Sequence, residues 1–145
     1  MRTELSLSDE WETPKELFEY LCYKYRFFPI LDVCATKENS KCYRCYTKED
    51  NGLFKSWCKK NWCNPPHSEI ERWVKKAYKE FLENNSETMM IIPANSITTI
   101  YSELCIWDIA DICEPIFERP KFLRDGKQLD SAKSGYFVII WRKWN

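Results

Sequence analysis

The chain of 145 residues carries 22 basic and 22 acidic side chains, so its formal net charge is zero. That balance excludes nucleic-acid binding by bulk positive charge and confines any phosphate contact to a local patch. At 44% hydrophobic and 30% charged residues the composition is globular rather than disordered, with length enough for one domain and a real core.

No apolar run reaches membrane-spanning length. The first ten residues are polar and lack the apolar stretch of a signal peptide. The expectation is a cytoplasmic protein with no membrane partner. Next comes Trp11-Glu12-Thr13-Pro14-Lys15-Glu16. Thr13 suits an N-cap, Pro14 the first helical position, and Glu16 completes a capping box. The predicted helix runs to about Tyr25, with Leu17, Phe18, Leu21 and Tyr25 on one face. Its N-terminus also offers N–H groups to an anion. Phe27–Val33 reads as the first parallel strand. Asp32 lies near its carboxyl end, where a carboxylate can meet a cationic or hydroxyl group of a cofactor, or cap a turn. Glu38–Cys42 is a polar loop, and Tyr46–Leu53 is a turn-rich acidic element containing Asp50.

Lys60–Cys63 is a short strand, and Asn64-Pro65-Pro66-His67 follows it directly. Ser68 then opens a predicted helix, with Glu71 three residues on. The tetrapeptide therefore sits in a strand-to-helix turn, at the strand end where open α/β sheets bind ligands. Two prolines make a stiff extended segment whose carbonyls are not tied up by a helix. The Asn64 side-chain oxygen is a second acceptor close by. Two converging acceptors suit an amino group with two N–H donors, and a flat ring at position 67 can stack on the base that carries it. Such a site fits an exocyclic amine such as N6 of adenine.

Ile70, Trp73, Ala77 and Phe81 continue as a helical stripe to about Asn84, with Lys75, Lys76 and Lys79 off it. Thr88–Ile92 is an apolar strand closed by Pro93, and Asn95 and Ser96 can cap a helix from about Ile97 to Leu104. Trp107–Ile112, Ile116–Leu123 and Gly135–Trp141 read as strands, the last two as an antiparallel pair joined by a polar loop, Arg124–Ser134. Arg119 and Lys121 can contact DNA or simply protect a strand edge. Eight cysteines in an intracellular chain are thiols or metal ligands rather than disulfides. Cys42-x-x-Cys45, with Cys58, Cys63 and His67 nearby, has loose zinc-ligand spacing, and burial as small hydrophobes is the competing account. We expect no metal.

Asn64-Pro65-Pro66-His67 resembles the Asp/Asn-Pro-Pro-aromatic motif of the amino-methylating DNA methyltransferases. Trp11-x-Thr13-Pro14, Leu31-Asp32 and Thr47–Leu53 match, in order and spacing, the small phage-type DNA N6-adenine methyltransferase (Dam) family. The resemblance implies an α/β fold: a compact Rossmann-like sheet for S-adenosylmethionine (SAM), helices on both faces and a C-terminal antiparallel strand pair. It implies one domain over residues 1–145 without a separate target-recognition domain. It implies Asn64, Pro65, Pro66 and His67 as catalytic residues. Trp11, Thr13, Pro14, Asp32, Cys34 and Asp50 would serve the cofactor. Cys34 and Ala35 stand where the wider methyltransferase class has a glycine-rich loop. DNA is the expected partner, and the chain is expected to act as a monomer or weak dimer. The alternative is a non-enzymatic SAM-fold remnant or a zinc-stabilised nucleic-acid module. His67 departs from the Tyr, Phe or Trp usual in the family. An imidazole stacks over less area and becomes cationic below about pH 6.5, which is unfavourable beside a sulfonium. From the sequence, His67→Tyr is expected to raise methylation.

Overall fold

The computed structural model describes residues 11–117, 120–128 and 135–143. Six strands form one sheet: β1 (Leu31–Asp32), β2 (Arg44–Cys45), β3 (Lys60–Cys63), β4 (Glu87–Pro93), β5 (Ile112–Ile116) and β8 (Tyr136–Trp141). Their spatial order is β2-β1-β3-β4-β8-β5. The β2/β1, β1/β3 and β3/β4 pairings are parallel, whereas β8 runs antiparallel to both β4 and β5. A two-stranded hairpin, β6 (Leu123–Arg124) with β7 (Lys127–Gln128), stands apart from the sheet. The helices are α1 (Lys15–Tyr25), α2 (Ile70–Asn84) and α3 (Ile100–Cys105).

Alternation along the central strands divides the core into two layers. Met89 and Ile91 pack with Leu21 and Tyr25 of α1. Met90 and Ile92 pack with Trp73, Val74 and Ala77 of α2 and with Cys105 at the end of α3. Strand β4 therefore reads as a near-continuous apolar run, as a strand covered on both faces must. Helices on both faces were expected, and they are present.

Several local expectations change. The helix begins at Lys15 with Pro14 at the N-cap and no side-chain cap bond, because the Thr13 hydroxyl is engaged elsewhere. Ser68 does not open α2: a 3-10 turn over His67–Glu69 intervenes and Glu69 takes the N-cap place. The first strand is two residues, not seven. The helix expected from Ile97 divides into a 3-10 turn, Ala94–Thr98, and α3, with Thr99 accepting from Ser102 N as its cap. Residues 106–110 form turns rather than a strand, with Asp108 at φ 64°, so the strand after α3 starts at Ile112. The antiparallel partner of β8 is consequently Ile112–Ile116 rather than Ile116–Leu123. Pro115 is tolerated there because β5 is an edge strand. The polar loop after Leu123 contains a hairpin, turned by Asp125 (φ 52°) and Gly126 (φ 75°) in the manner of a type I′ Asp-Gly turn.

Candidate active site

Strand order reverses between β1 and β3: the chain leaves β1 for β2 on one side and returns to β3 on the other. Ligands bind at the carboxyl ends of strands flanking such a switch point. Asp32 ends β1 and Cys63 ends β3, with Asp32 opposite Trp62 in register and Val33 N donating to Trp62 O. Asn64-Pro65-Pro66-His67 leaves the sheet at this point.

The Asn64 carboxamide is oriented from the other end of the chain. Its Nδ2 donates to Trp11 O at 3.2 Å and to Thr13 Oγ1 at 3.1 Å. Both N–H bonds are thus engaged, and Oδ1 is the acceptor left on the opposite side. Among the described residues no donor meets Oδ1. The Pro66 carbonyl accepts from Glu69 N, closing the 3-10 turn. The Pro65 carbonyl accepts from no donor among the described residues. The turn thus carries two acceptors with no donor among the described residues, one on the Asn64 side chain and one on the backbone.

Aromatic rings wall the site. Trp11 meets His67 edge-to-face at 5.2 Å and stacks on Phe122 at 5.4 Å. Phe122 packs on Tyr136 at 5.0 Å. The Tyr136 hydroxyl lies 2.6 Å from His67 Nε2. The buried Trp11 Nε1 has no acceptor among the described residues. The sequence places Phe122 in a basic-aromatic run and Tyr136 in the apolar terminal strand, but it gives neither one a place in the site. Tyr136 arrives because β8 is antiparallel, so its first residue lies beside Pro93 at the end of β4.

The other predicted residues are placed as follows. Asp32 is 3% exposed, and its carboxylate accepts from Cys34 N (3.3 Å) and Lys41 N (3.0 Å). Burial pushes its pKa up to about 7, against the two amides and the Lys41 charge. It therefore organises the loop that contains Cys34, which is half-buried. Asp50 is exposed and accepts from the Thr47 amide and hydroxyl, which hold it below the usual carboxylate range. Its carboxylate is engaged within the turn. Lys121 is exposed beside buried Phe122, and Arg119 lies outside the described residues. Lys76, off the apolar stripe of α2, pairs with the buried Glu80 at 2.9 Å.

All eight cysteines are unbridged, and among the described residues no three metal-binding side chains converge. Burial raises the thiol pKa values of Cys22 and Cys113 to about 11. A cavity of about 490 Å³ opens where β3 and β4 begin, lined by Trp57, Lys59, Asn85 and neighbours. It lies at the opposite end of the sheet from Asn64 and holds none of the groups just described.

Fold and site together define the class: a mixed α/β protein that presents an oriented carboxamide and an aromatic wall at the switch point of its parallel strands. Comparison with known proteins gives the family. The chain matches DNA N-6-adenine-methyltransferase (Dam) over residues 1–145 and belongs to that family. It is similar to the DNA N-6-adenine-methyltransferase of Escherichia phage T1, at 31% identity over 95% of this chain and 64% of that relative. It is also similar to the enzyme of the same name from Haemophilus phage HP1 (strain HP1c1), at 25% identity over 96% of this chain and 82% of the relative. The chain thus spans just under two thirds of the first relative's length. Among the described residues no helix is long and apolar enough to cross a membrane.

Proposed function

We propose that the protein is a DNA adenine N6-methyltransferase that uses S-adenosylmethionine, on a Rossmann-like sheet, acting in the cytoplasm of a phage host. The observation that carries this reading is the oriented carboxamide: Trp11 O and Thr13 Oγ1 take both Asn64 Nδ2 protons, which leaves Oδ1 as the acceptor for a target amine, with the Pro65 carbonyl as the second. When bound, S-adenosylmethionine supplies a methyl group made electrophilic by its sulfonium. Residues at the switch point fit it. Pro14 at the N-cap of α1 makes no side-chain bond to the helix, and the Trp11 indole N–H has no acceptor among the described residues, so both would serve a carboxylate there. Trp11, Thr13 and Pro14 would hold that end, the Asp32-ordered loop with Cys34 the middle, and the Asp50 turn the adenosine side.

Asn64 and Pro65 act on the amine of the target. Each accepts one N–H, which holds the two protons in a tetrahedral arrangement and leaves the nitrogen lone pair directed at the methyl group. The work is positioning and fixed dipoles, with no covalent bond to the protein. His67 is the ring that would stack on the base, with its Nε2 edge held by Tyr136. A base inside a duplex cannot reach a strand-end pocket, so the adenine is flipped out. Lys121, and Arg119 with it, would meet the phosphates.

Incubating the protein with methyl-labelled S-adenosylmethionine and unmethylated DNA tests the reading. The expected product is N6-methyladenine, reduced at least roughly hundredfold in Asn64→Ala, the scale for loss of one fixed polar group at a reacting centre. Equal product from both proteins would remove Asn64 from the mechanism, and no product from the native chain would remove the activity.

A further inference from the structure

Tyr136 is 2% exposed, and its hydroxyl lies 2.6 Å from His67 Nε2. The backbone fixes this position. Tyr136 faces Pro93 in register, and Gly135 O accepts from Ala94 N on its other side. Packing fixes the ring, which lies against Phe122. Burial also raises the phenol pKa, so the proton stays on oxygen. A buried hydroxyl proton needs an acceptor. Among the described residues the hydrogen-bond partner of this one is His67. The phenol therefore donates, Nε2 accepts, and the ring proton sits on Nδ1, since the bond at one nitrogen sets the state of the other.

We propose that Tyr136 is a positioning residue for His67, and that the imidazole and the phenol act as one unit in place of a single large aromatic ring. This rests on His67 being the ring that stacks on the target base. It also accounts for the departure from an aromatic residue at position 67. A tyrosine reaches about one hydroxyl group further from the backbone than Nε2 does, which is where the Tyr136 oxygen stands. The gain expected for His67→Tyr from the sequence therefore becomes a loss unless Tyr136 gives up its oxygen. His67→Tyr with Tyr136→Phe moves the hydroxyl from one side chain to the other and keeps its place filled.

The chain contains one histidine, so the ring ¹⁵N signals need no assignment. At about pH 8, where an ordinary imidazole is neutral, Nε2 should be the unprotonated nitrogen, and Tyr136→Phe should redistribute the proton between the two nitrogens. With unmethylated DNA as substrate, Tyr136→Phe should lower kcat/KM about tenfold, the worth of one hydrogen bond. His67→Tyr alone should lose at least as much. The double variant should return to within about threefold of the native protein, the non-additivity that marks a coupled pair. Unchanged nitrogen spectra in Tyr136→Phe, or losses that multiply in the double variant, would overturn the proposal. Should the native chain fail to methylate DNA, the activity falls by itself, and the nitrogen spectra still decide the pair.

Discussion

Thr13 shows how one hydroxyl changes meaning between sequence and structure. Locally it is a cap for α1; in the fold it accepts from Asn64 Nδ2 at 3.1 Å, and α1 begins without a side-chain cap. Thr13→Val keeps the shape and removes the acceptor. About 1 kcal/mol of hydrogen bonding to the carboxamide is lost, so kcat for methyl transfer should fall roughly fivefold while the unfolding midpoint moves little. A fall in thermal stability with unchanged kcat would return Thr13 to a capping role. Asp32 carries a pH prediction. Its folded pKa, about 7, lies above the usual 3.8, so the native state binds its proton more tightly than the unfolded chain does. Its contribution to stability is full below about pH 4 and is lost as pH rises through 7. Urea midpoints across that range should fall for the native chain relative to Asp32→Asn, and parallel curves would count against the shift.

At the level of elements, the segment between β2 and β3 shows a constraint that local pattern does not reveal. Gly52 opens a short 3-10 turn pressed so closely under the end of β1 that an added Cβ would meet Val33 O at 2.3 Å, with the Trp73 ring at 3.3 Å. A backbone oxygen cannot rotate away. Gly52→Ala should cost about 1–3 kcal/mol, read as a lower urea midpoint with unchanged slope. Gly126 is the opposite case: nothing lies within 4 Å, and only its φ of 75° resists a side chain. Gly126→Ala should therefore loosen the β6/β7 hairpin by about 1 kcal/mol without moving the global midpoint. Hydrogen exchange at Leu123 and Glu12, bonded to each other by 2.6 Å and 2.8 Å backbone contacts, would report it. Elements with strong periodicity, α1, α2 and β4, fall close to where their sequences put them. Those near turns shift, because a positive φ at Asp108 or Asp125 depends on neighbours that a window of sequence does not contain.

For the whole molecule, zero net charge would restrict how DNA is held in the proposed reaction. The 22 basic side chains are matched by 22 acidic ones, and several, such as Lys76, are paired within the protein. Each phosphate contact contributes about 0.9 to the slope of log affinity against log salt, so the slope should be shallow, about −2 to −4. Lys121→Ala should reduce it by about 1 if that side chain meets a phosphate. A slope near −8 would mean a much larger basic surface than the charge allows.

The sequence by itself determined the α/β class, the main helices, the central strand and the place of Asn64-Pro65-Pro66-His67 in a strand-to-helix turn, because periodicity, proline geometry and side-chain inventory are local properties. Only the tertiary structure decided which way the carboxamide faces and what holds the imidazole. Asn64 is oriented from Trp11 and Thr13, more than fifty positions upstream in the chain for each bond, and His67 from Tyr136, 69 positions downstream. Those partners meet at one strand end because parallel strands bring their carboxyl ends together and the antiparallel β8 brings its beginning there. That is a consequence of sheet register, which no stretch of sequence around the motif contains.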